Sequence, residues 1–387
     1  MRVDGTGAWV GVGGPRFDGV RRIAVLRGSG LGDLVQSLPA AEALSAAYPD
    51  AELTLLGMPS HLALLADRPS PYRHLVALPV RPGVREGTED PAATAAFLAR
   101  ARAQRFDLAV QLHGGGRNSN PFLLDLGARH TVGSRTDDAP ELERSRPFLH
   151  LQHEVLRGLE VVGLAGALPV GLEPRLSLRA AEQEQRDAAL TGPPVVVVHP
   201  GATDPRRHWP VERFAAVLSA LVADGVRVRL VGDAEEVALA DRLLAAVEDP
   251  GGRVTSTVGA QSMAELVATL AAADVVLAND SGPRHVAAAV GTRTVGVYWV
   301  GNVVTAAPLG RSRHRVQVGF TTHCPVCGRD LTEPGWTAER CEHDPSIVAD
   351  VDPGRVLTDV RALLADAVQE RRTAARNRTG EADGQAG

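Results

Sequence analysis

The sequence predicts an α/β protein built as two doubly wound, Rossmann-like domains that face each other across a cleft. Three observations carry that expectation. Short apolar runs alternate with amphipathic Ala/Leu segments along most of the chain, the pattern of parallel strands joined by crossover helices. The series breaks once, over the polar stretch from Leu172 to Pro194 that closes on Gly192-Pro193-Pro194, and then starts again. The length of 387 residues matches two domains at roughly 150 residues each.

The elements follow in order. Residues 1–20 are expected to be a flexible leader. Ile23-Ala24-Val25-Leu26 is the first strand, followed by three glycines and a helix from Asp33 to Ala47. Leu53 to Leu56, His74 to Leu78 and Leu108-Ala109-Val110 are further strands, with helices near 59–66 and over 91–104 between them. A helix near 120–127 and a strand near 130–133 complete a first domain over 21–175. Residues 176–193 are the expected linker. The second series, over 194–350, opens on Val195 to Val198, a continuous β-branched run of the kind buried on both faces. Helix 210–223, strand 226–231, helix 234–247, strand 253–258, helix 262–272, strand 274–278, helix 282–290 and strand 293–298 follow. A last amphipathic helix lies within 351–372, and 373–387 is expected to be a disordered tail. Two such sheets leave a ligand cleft at their carboxyl ends.

Composition excludes whole classes. The 41 basic residues are all arginine, with no Lys in the chain. A P-loop and a pyridoxal-phosphate enzyme both need Lys and are ruled out. The formal charge of −5 (41 basic against 46 acidic) gives no excess to hold a nucleic acid. Aromatics at 4% are too few for stacked single-strand platforms. Three Cys exclude a disulfide scaffold. No apolar run approaches the roughly 20 residues of a membrane helix, and Met1 to Gly14 lacks the charged-then-apolar pattern of a secretory signal. A cytoplasmic enzyme is the default expectation, with peripheral contact at a membrane left open.

Four segments carry chemistry. Arg27-Gly28-Ser29-Gly30-Leu31-Gly32-Asp33 joins a strand to a helix; its glycines allow close approach to a ligand and the helix start favours an anion. The spacing differs from the dinucleotide fingerprint. On spacing alone, Asp33 at a helix start reads as a cap ahead of a catalyst. His199-Pro200-Gly201-Ala202 leads to Arg206-Arg207-His208-Trp209-Pro210, where planar guanidiniums suit a diphosphate. Asn279-Asp280-Ser281-Gly282-Pro283-Arg284-His285 follows a strand and opens a helix whose N–H groups make a phosphate site. Asp280 would repel a phosphate if it pointed inward, so it is expected to hold the turn or a ligand hydroxyl. Val231-Gly232-Asp233-Ala234-Glu235-Glu236 sets acidic residues at a strand end, suited to ribose hydroxyls or to the helix dipole.

These segments, in this order over most of 21–300, resemble glycosyltransferase family 9, the heptosyltransferase family of the GT-B fold. The resemblance rests on Leu26 to Asp33 with Leu38-Pro39-Ala40, on His199 to Ala202 with Arg207 to Pro210, and on Ser262 to Leu266 leading into Asn279 to Ala289. It implies inverting transfer from a nucleotide-diphosphate sugar, often ADP-heptose, without a catalytic cofactor. Asp33 matches the general base. Arg207 stands where the family carries Lys, and Arg206, Asp280, Ser281, Gly282 and His285 fall at the donor diphosphate. Gly201 and Glu235 fall on the nucleoside side. Gly28, Gly30, Gly32, His113 and Arg117 fall on the acceptor side, in the N-terminal domain. The acceptor is a glycan, a lipid or a small molecule, lipopolysaccharide core being the best-known one. A non-catalytic nucleotide-sugar-binding protein, and a nucleotide-sugar epimerase or hydrolase of the same fold, are the alternatives.

One segment, 323–343, lies outside this pattern. Cys324-Pro325-Val326-Cys327 followed by Cys341-Glu342-His343 fits a closed Cys3His zinc site of structural kind; a reduced cluster without metal, or one disulfide, is the alternative.

Overall fold

The computed structural model describes residues 14–332 and 341–384. Its contacts divide the chain into two compact units, one up to Ser177 and one from Leu178.

In the first unit, β1 (Arg22–Arg27), β2 (Glu52–Gly57), β3 (Tyr72–Ala77), β4 (Leu108–Gln111), β5 (His130–Arg135) and β6 (Arg144–Pro147) form one sheet in the order β3-β2-β1-β4-β5-β6. All five pairings are parallel. Crossover helices α1 (Leu31–Ala47), α2 (Pro59–Leu65), α3 (Pro91–Ala103), α4 (Ser119–Leu124) and α5 (Glu154–Gly163) cover it, and α5 packs along α1. The central strands β1 and β4 are buried along nearly their whole length, as expected for parallel strands covered on both faces.

The second unit opens with α6 (Ala180–Ala189). Its strands are β7 (Val195–His199), β8 (Arg227–Leu230), β9 (Val254–Ser256), β10 (Val275–Asn279), β11 (Arg293–Trp299) and β12 (His314–Gly319), paired in parallel in the order β12-β11-β10-β7-β8-β9. Counted from β7, this is the order of the first sheet. Helices α7 (Val211–Ala223), α8 (Val237–Ala246), α9 (Met263–Ala272), α10 (Gly282–Ala289), α11 (Val300–Ala306) and α12 (Pro353–Gly384) complete the unit. Trp209 and Phe214 meet edge to face in its core, against Val356, Val360 and Leu363 of α12.

In each sheet the order reverses beside the first strand: between β1 and β4, and between β7 and β10. Ligands in open α/β sheets bind outside the carboxyl ends of the strands at such switch points. The Asp33 loop leaves β1, the His199 segment leaves β7, and Asp280 follows β10.

Several expectations need correction. The described part of the leader is packed: Phe17 and Val20 are buried, the Phe17 ring stacks on His130 and the Arg144 guanidinium lies 3.7 Å over it. Residues 1–13 of that leader lie outside the described residues. The linker is not unstructured, because α6 folds within it and packs against α9. β6, α5, α11 and β12 were not expected; β6, of sequence Arg-Ser-Arg-Pro, is a half-buried edge strand without an apolar residue to announce it. The terminal helix continues to Gly384 rather than stopping at 372, since no Pro follows Pro353 to break it. Residues 385–387 of the expected tail lie outside the described residues.

Candidate active site

In the first unit, β1 delivers Arg27 and the chain turns through Gly28-Ser29-Gly30 into α1. Gly28 is required by crowding: a Cβ there would sit 2.6 Å from the Val84 carbonyl oxygen and 2.9 Å from the His113 ring. Ser29 takes the left-handed conformation at φ 68°, which is uncommon for a residue with a Cβ. Asp33 Oδ2 accepts the Gly30 N–H at 3.2 Å, closing the first turn of α1, while Oδ1 accepts Arg27 Nη2 at 2.8 Å. Asp33 is therefore a cap, and its side chain is also 38% exposed, so a ligand can reach it. Gly32 lies in the first turn of the same helix.

Arg27 is the hub of this group. It is buried, and besides Asp33 it donates to the Leu112 carbonyl and to Glu154 Oε2. Glu154 also pairs with Arg157. Arg27, Glu154, Arg157, Ser37, Leu112 and Val161 line a small cavity behind the loop. His61 is fully buried; its Nδ1 accepts the Met58 N–H, so Nε2 carries the proton given to the Gly30 carbonyl at 3.1 Å. Burial drives the His61 pKa down to about 4. His113 bridges the Gly83 carbonyl through Nε2 and the Ser29 hydroxyl through Nδ1; burial lowers its pKa as well. Arg117 is not part of this group: it is exposed and lies 3.5 Å from Asp138.

In the second unit, β7 ends on His199. Its Nδ1 lies 2.9 Å from Ser281 Oγ and its Nε2 lies 3.0 Å from Glu236 Oε2. A carboxylate can only accept, so Nε2 donates to Glu236 and Nδ1 accepts the Ser281 hydroxyl. Burial works to raise the Glu236 pKa, but the hydrogen bond from His199 overcomes it and holds the carboxyl below its ordinary value. The acidic residue in this site is thus Glu236, not Glu235. Asp233 caps a single 3-10 turn, and Glu236 folds back onto the Asp233 N–H at 3.0 Å while Glu235 is left exposed. Gly201 is needed because its Cβ would collide with the Glu236 carboxylate.

Arg206 and Arg207 separate in the same way. The Arg206 fork, expected at the donor diphosphate, is held by Asp204 through three bonds of 2.7–3.2 Å. Arg207 instead reaches Asp280 Oδ2 at 3.1 Å and is 22% exposed. His285 donates Nε2–H to Asp280 Oδ1 at 3.2 Å and accepts from Arg284. Asp280 is buried, which alone would raise its pKa; His285 and then Arg207 lower it below the usual carboxylate range. Its charge is thus met internally by Arg207 and by the His285 N–H. Ser281 stands at the N-cap position of α10 without a side-chain cap bond, and Gly282 begins the helix; the leading N–H groups of a helix have no intrahelical partner. Arg207, bonded to Asp280, stands beside this helix start.

The cysteine segment also folds together. Cys324 N–H bonds to the Arg329 carbonyl and Gly328 N–H, at φ 73°, to the Cys324 carbonyl. That tight turn brings one ligand atom each from Cys324, Cys327, Cys341 and His343 within 4.8 Å of one another. Backbone N–H groups of Cys327 and then Val326 lower the Cys324 pKa to about 7. His343 Nδ1 is buried and has no hydrogen-bond partner among the described residues. A tetrahedral metal with sulfur bonds near ~2.3 Å needs this donor set at about this spread.

No helix among the described residues is long and apolar enough to cross a membrane. The chain is 25% identical over 361 residues to lipopolysaccharide heptosyltransferase 2 of Salmonella typhimurium, covering 89% of this chain and 99% of that one. Its fold matches the Escherichia coli ADP-heptose lipopolysaccharide heptosyltransferase II at a TM-score of 0.68 and 21% identity, over 89% and 99% of the two chains. It also matches the iron-containing dodecameric glycosyltransferase TibC of enterotoxigenic E. coli, at a TM-score of 0.54 and 14% identity, over 91% of this chain and 78% of that one. The model of Glycosyltransferase family 9 (heptosyltransferase) matches residues 95–332, well over half of the sequence. A doubly wound two-unit chain matched over that span is a glycosyltransferase that belongs to family 9, the heptosyltransferases.

Proposed function

We propose that the enzyme moves a heptose from ADP-heptose to an acceptor hydroxyl with inversion at the anomeric carbon, and that Asp33 is the general base. The observation that carries the reading is Arg207 held on a buried Asp280 at the start of α10, an arrangement suited to an anion. The Escherichia coli ADP-heptose heptosyltransferase and the lipopolysaccharide heptosyltransferase of Salmonella typhimurium support ADP-heptose as donor and a lipopolysaccharide-like glycolipid as acceptor. Residues 21–175 take the acceptor side and 194–350 the donor side.

Asp33 accepts the proton of the acceptor hydroxyl. The oxygen attacks the anomeric carbon opposite the nucleotide, through a transition state of oxocarbenium character. Negative charge grows on the departing diphosphate, where Arg207 and the N–H groups of Ser281 and Gly282 stabilise it. Glu236, oriented by His199, accepts from the ribose hydroxyls. Arg27 fixes the Asp33 carboxylate through one oxygen and leaves the other beside the Gly30 N–H. Cys324, Cys327, Cys341 and His343 fit a bound zinc, or an iron such as TibC contains; the metal would cross-link the segment and take no part in transfer. Reduced thiols and a nucleotide-sugar donor suit the cytoplasm.

Thermal shift with ADP, GDP, UDP and dTDP, followed by transfer from ADP-heptose with NMR of the product linkage, tests the reading. Selective stabilisation by ADP and an inverted linkage are expected. Selective stabilisation by another nucleotide would overturn the donor, and retained configuration would overturn the mechanism.

A further inference from the structure

The metal-ligand cluster and the diphosphate site share a strap of chain. Three residues beyond His343, the Ser346 hydroxyl donates to the His208 carbonyl at 2.7 Å, and the Ile347 N–H donates to the Arg206 carbonyl at 2.8 Å. These carbonyls flank Arg207. Ile347 and Val348 are buried in the core of the unit, so the strap has a fixed far end. Its near end is His343, with Asp344 and Pro345 between. Cys341 and Asp344 also lie close enough to the Arg206 guanidinium to act on its charge. The stretch from Pro205 to Arg207 is a single 3-10 turn, too short to hold a side chain in place by itself.

We propose that metal bound at Cys324, Cys327, Cys341 and His343 fixes the Asp344–Ile347 strap, and through it the Arg206–His208 loop, so that metal occupancy sets the affinity for the donor's diphosphate. Arg207 is the residue that delivers the effect, while Ser346 is a positioning residue that touches neither metal nor nucleotide. With the metal absent, nothing among the described residues ties His343 Nδ1, and the near end of the strap loses the hold of that ligand. The loop then samples positions in which Arg207 no longer meets the diphosphate. The cost is paid at binding as ordering entropy, which lowers affinity without removing any contact of the bound state. The inference rests on the donor reading given above.

The test uses the full chain, purified without a His tag. Metal content is measured by elemental analysis, and ADP affinity by calorimetry. Chelated protein that keeps its circular dichroism is expected to bind ADP about tenfold more weakly, and one equivalent of zinc is expected to restore the affinity. Ser346→Ala is expected to keep its full metal content yet weaken ADP by about threefold to tenfold, the effect of one hydrogen bond. In Ser346→Ala the donor KM rises while the acceptor KM does not, a split that general loss of stability would not give. Unchanged ADP affinity in folded, metal-free protein overturns the coupling. If chelation unfolds the protein, unchanged affinity in metal-loaded Ser346→Ala overturns it instead. A chain that takes up no metal under reducing conditions overturns the inference and leaves the donor reading intact, whereas metal-loaded wild type that fails to bind ADP overturns the donor reading itself.

Discussion

Gly201 and Glu236 can be tested as one device. A Cβ at position 201 would lie 1.5 Å from Glu236 Oε1 and 2.4 Å from Cδ, so Gly201→Ala forces the carboxylate out of its seat. Gly201 is not among the residues with positive φ, so alanine fits the backbone and gains about 0.4–1 kcal/mol through the unfolded chain. Against that stands the Glu236–His199 bond at 3.0 Å; a hydrogen bond to a charged group contributes about 1.5–3 kcal/mol. The difference leaves Gly201→Ala destabilised by about 1–2 kcal/mol, or roughly 2–8 °C in Tm. If Glu236 accepts from the ribose, ADP affinity falls by about 10- to 150-fold. Glu236→Ala should cost as much, and the double variant should cost no more than Glu236→Ala alone, because the clash has lost its target. Calorimetric titration of ADP into the three variants decides. Additive losses, or a Gly201→Ala protein that binds ADP within twofold of wild type, would refute the reasoning.

Asp33→Asn is expected to lower kcat by about 10²–10⁴-fold with ADP affinity unchanged; single-turnover rates beside calorimetry check it, and a normal rate removes Asp33 from the chemistry. Asp280→Ala strips both Arg207 and His285 of a buried partner, and breaking such a pair costs about 3–5 kcal/mol, so calorimetric unfolding should show a drop of roughly 6–20 °C. The Asp280 pKa is lowered in the fold, so its contribution is present above the unfolded-state value and is lost as pH falls below it. His61 sets a second acid limit. Its pKa is about 4 in the fold against 6.5, so below pH 6.5 the unfolded chain takes a proton that the folded one refuses. Stability then falls by up to about 3 kcal/mol between pH 6.5 and 4. Denaturant unfolding across that range should show the fall, and His61→Gln should remove the share that His61 contributes.

Much of this was legible in the chain because the signals are local. Val195 to Val198 can only be a strand buried on both faces, and Asn279 to His285 carries its own strand end, cap and helix start. What was hidden depends on partners distant in sequence. Arg27 and Glu154 are 127 positions apart and meet through the packing of α5 on α1. Arg206 and Arg207 are adjacent and of one type, and only the reach of Asp204 on one side and Asp280 on the other separates them. Glu235 and Glu236 differ by one residue in a 3-10 turn, and that step decides which faces His199. The packed leader was hidden for a related reason: Phe17 looks isolated until His130 and Arg144 enclose it.

The grip proposed for Arg207 on the diphosphate has a consequence for control. Arg207 is clamped on Asp280, and no basic side chain in these 387 residues is a lysine. A guanidinium keeps its proton at any pH the cell meets, whereas an ammonium can lose it. It also lacks the amine that acetylation, carbamoylation and related acyl chemistry need. A cell that silences enzymes by acylating lysines therefore has no handle on this phosphate site, and amine-directed inhibitors would pass it by. Any brake on donor binding has to act on the loop that carries the arginine, not on its charge.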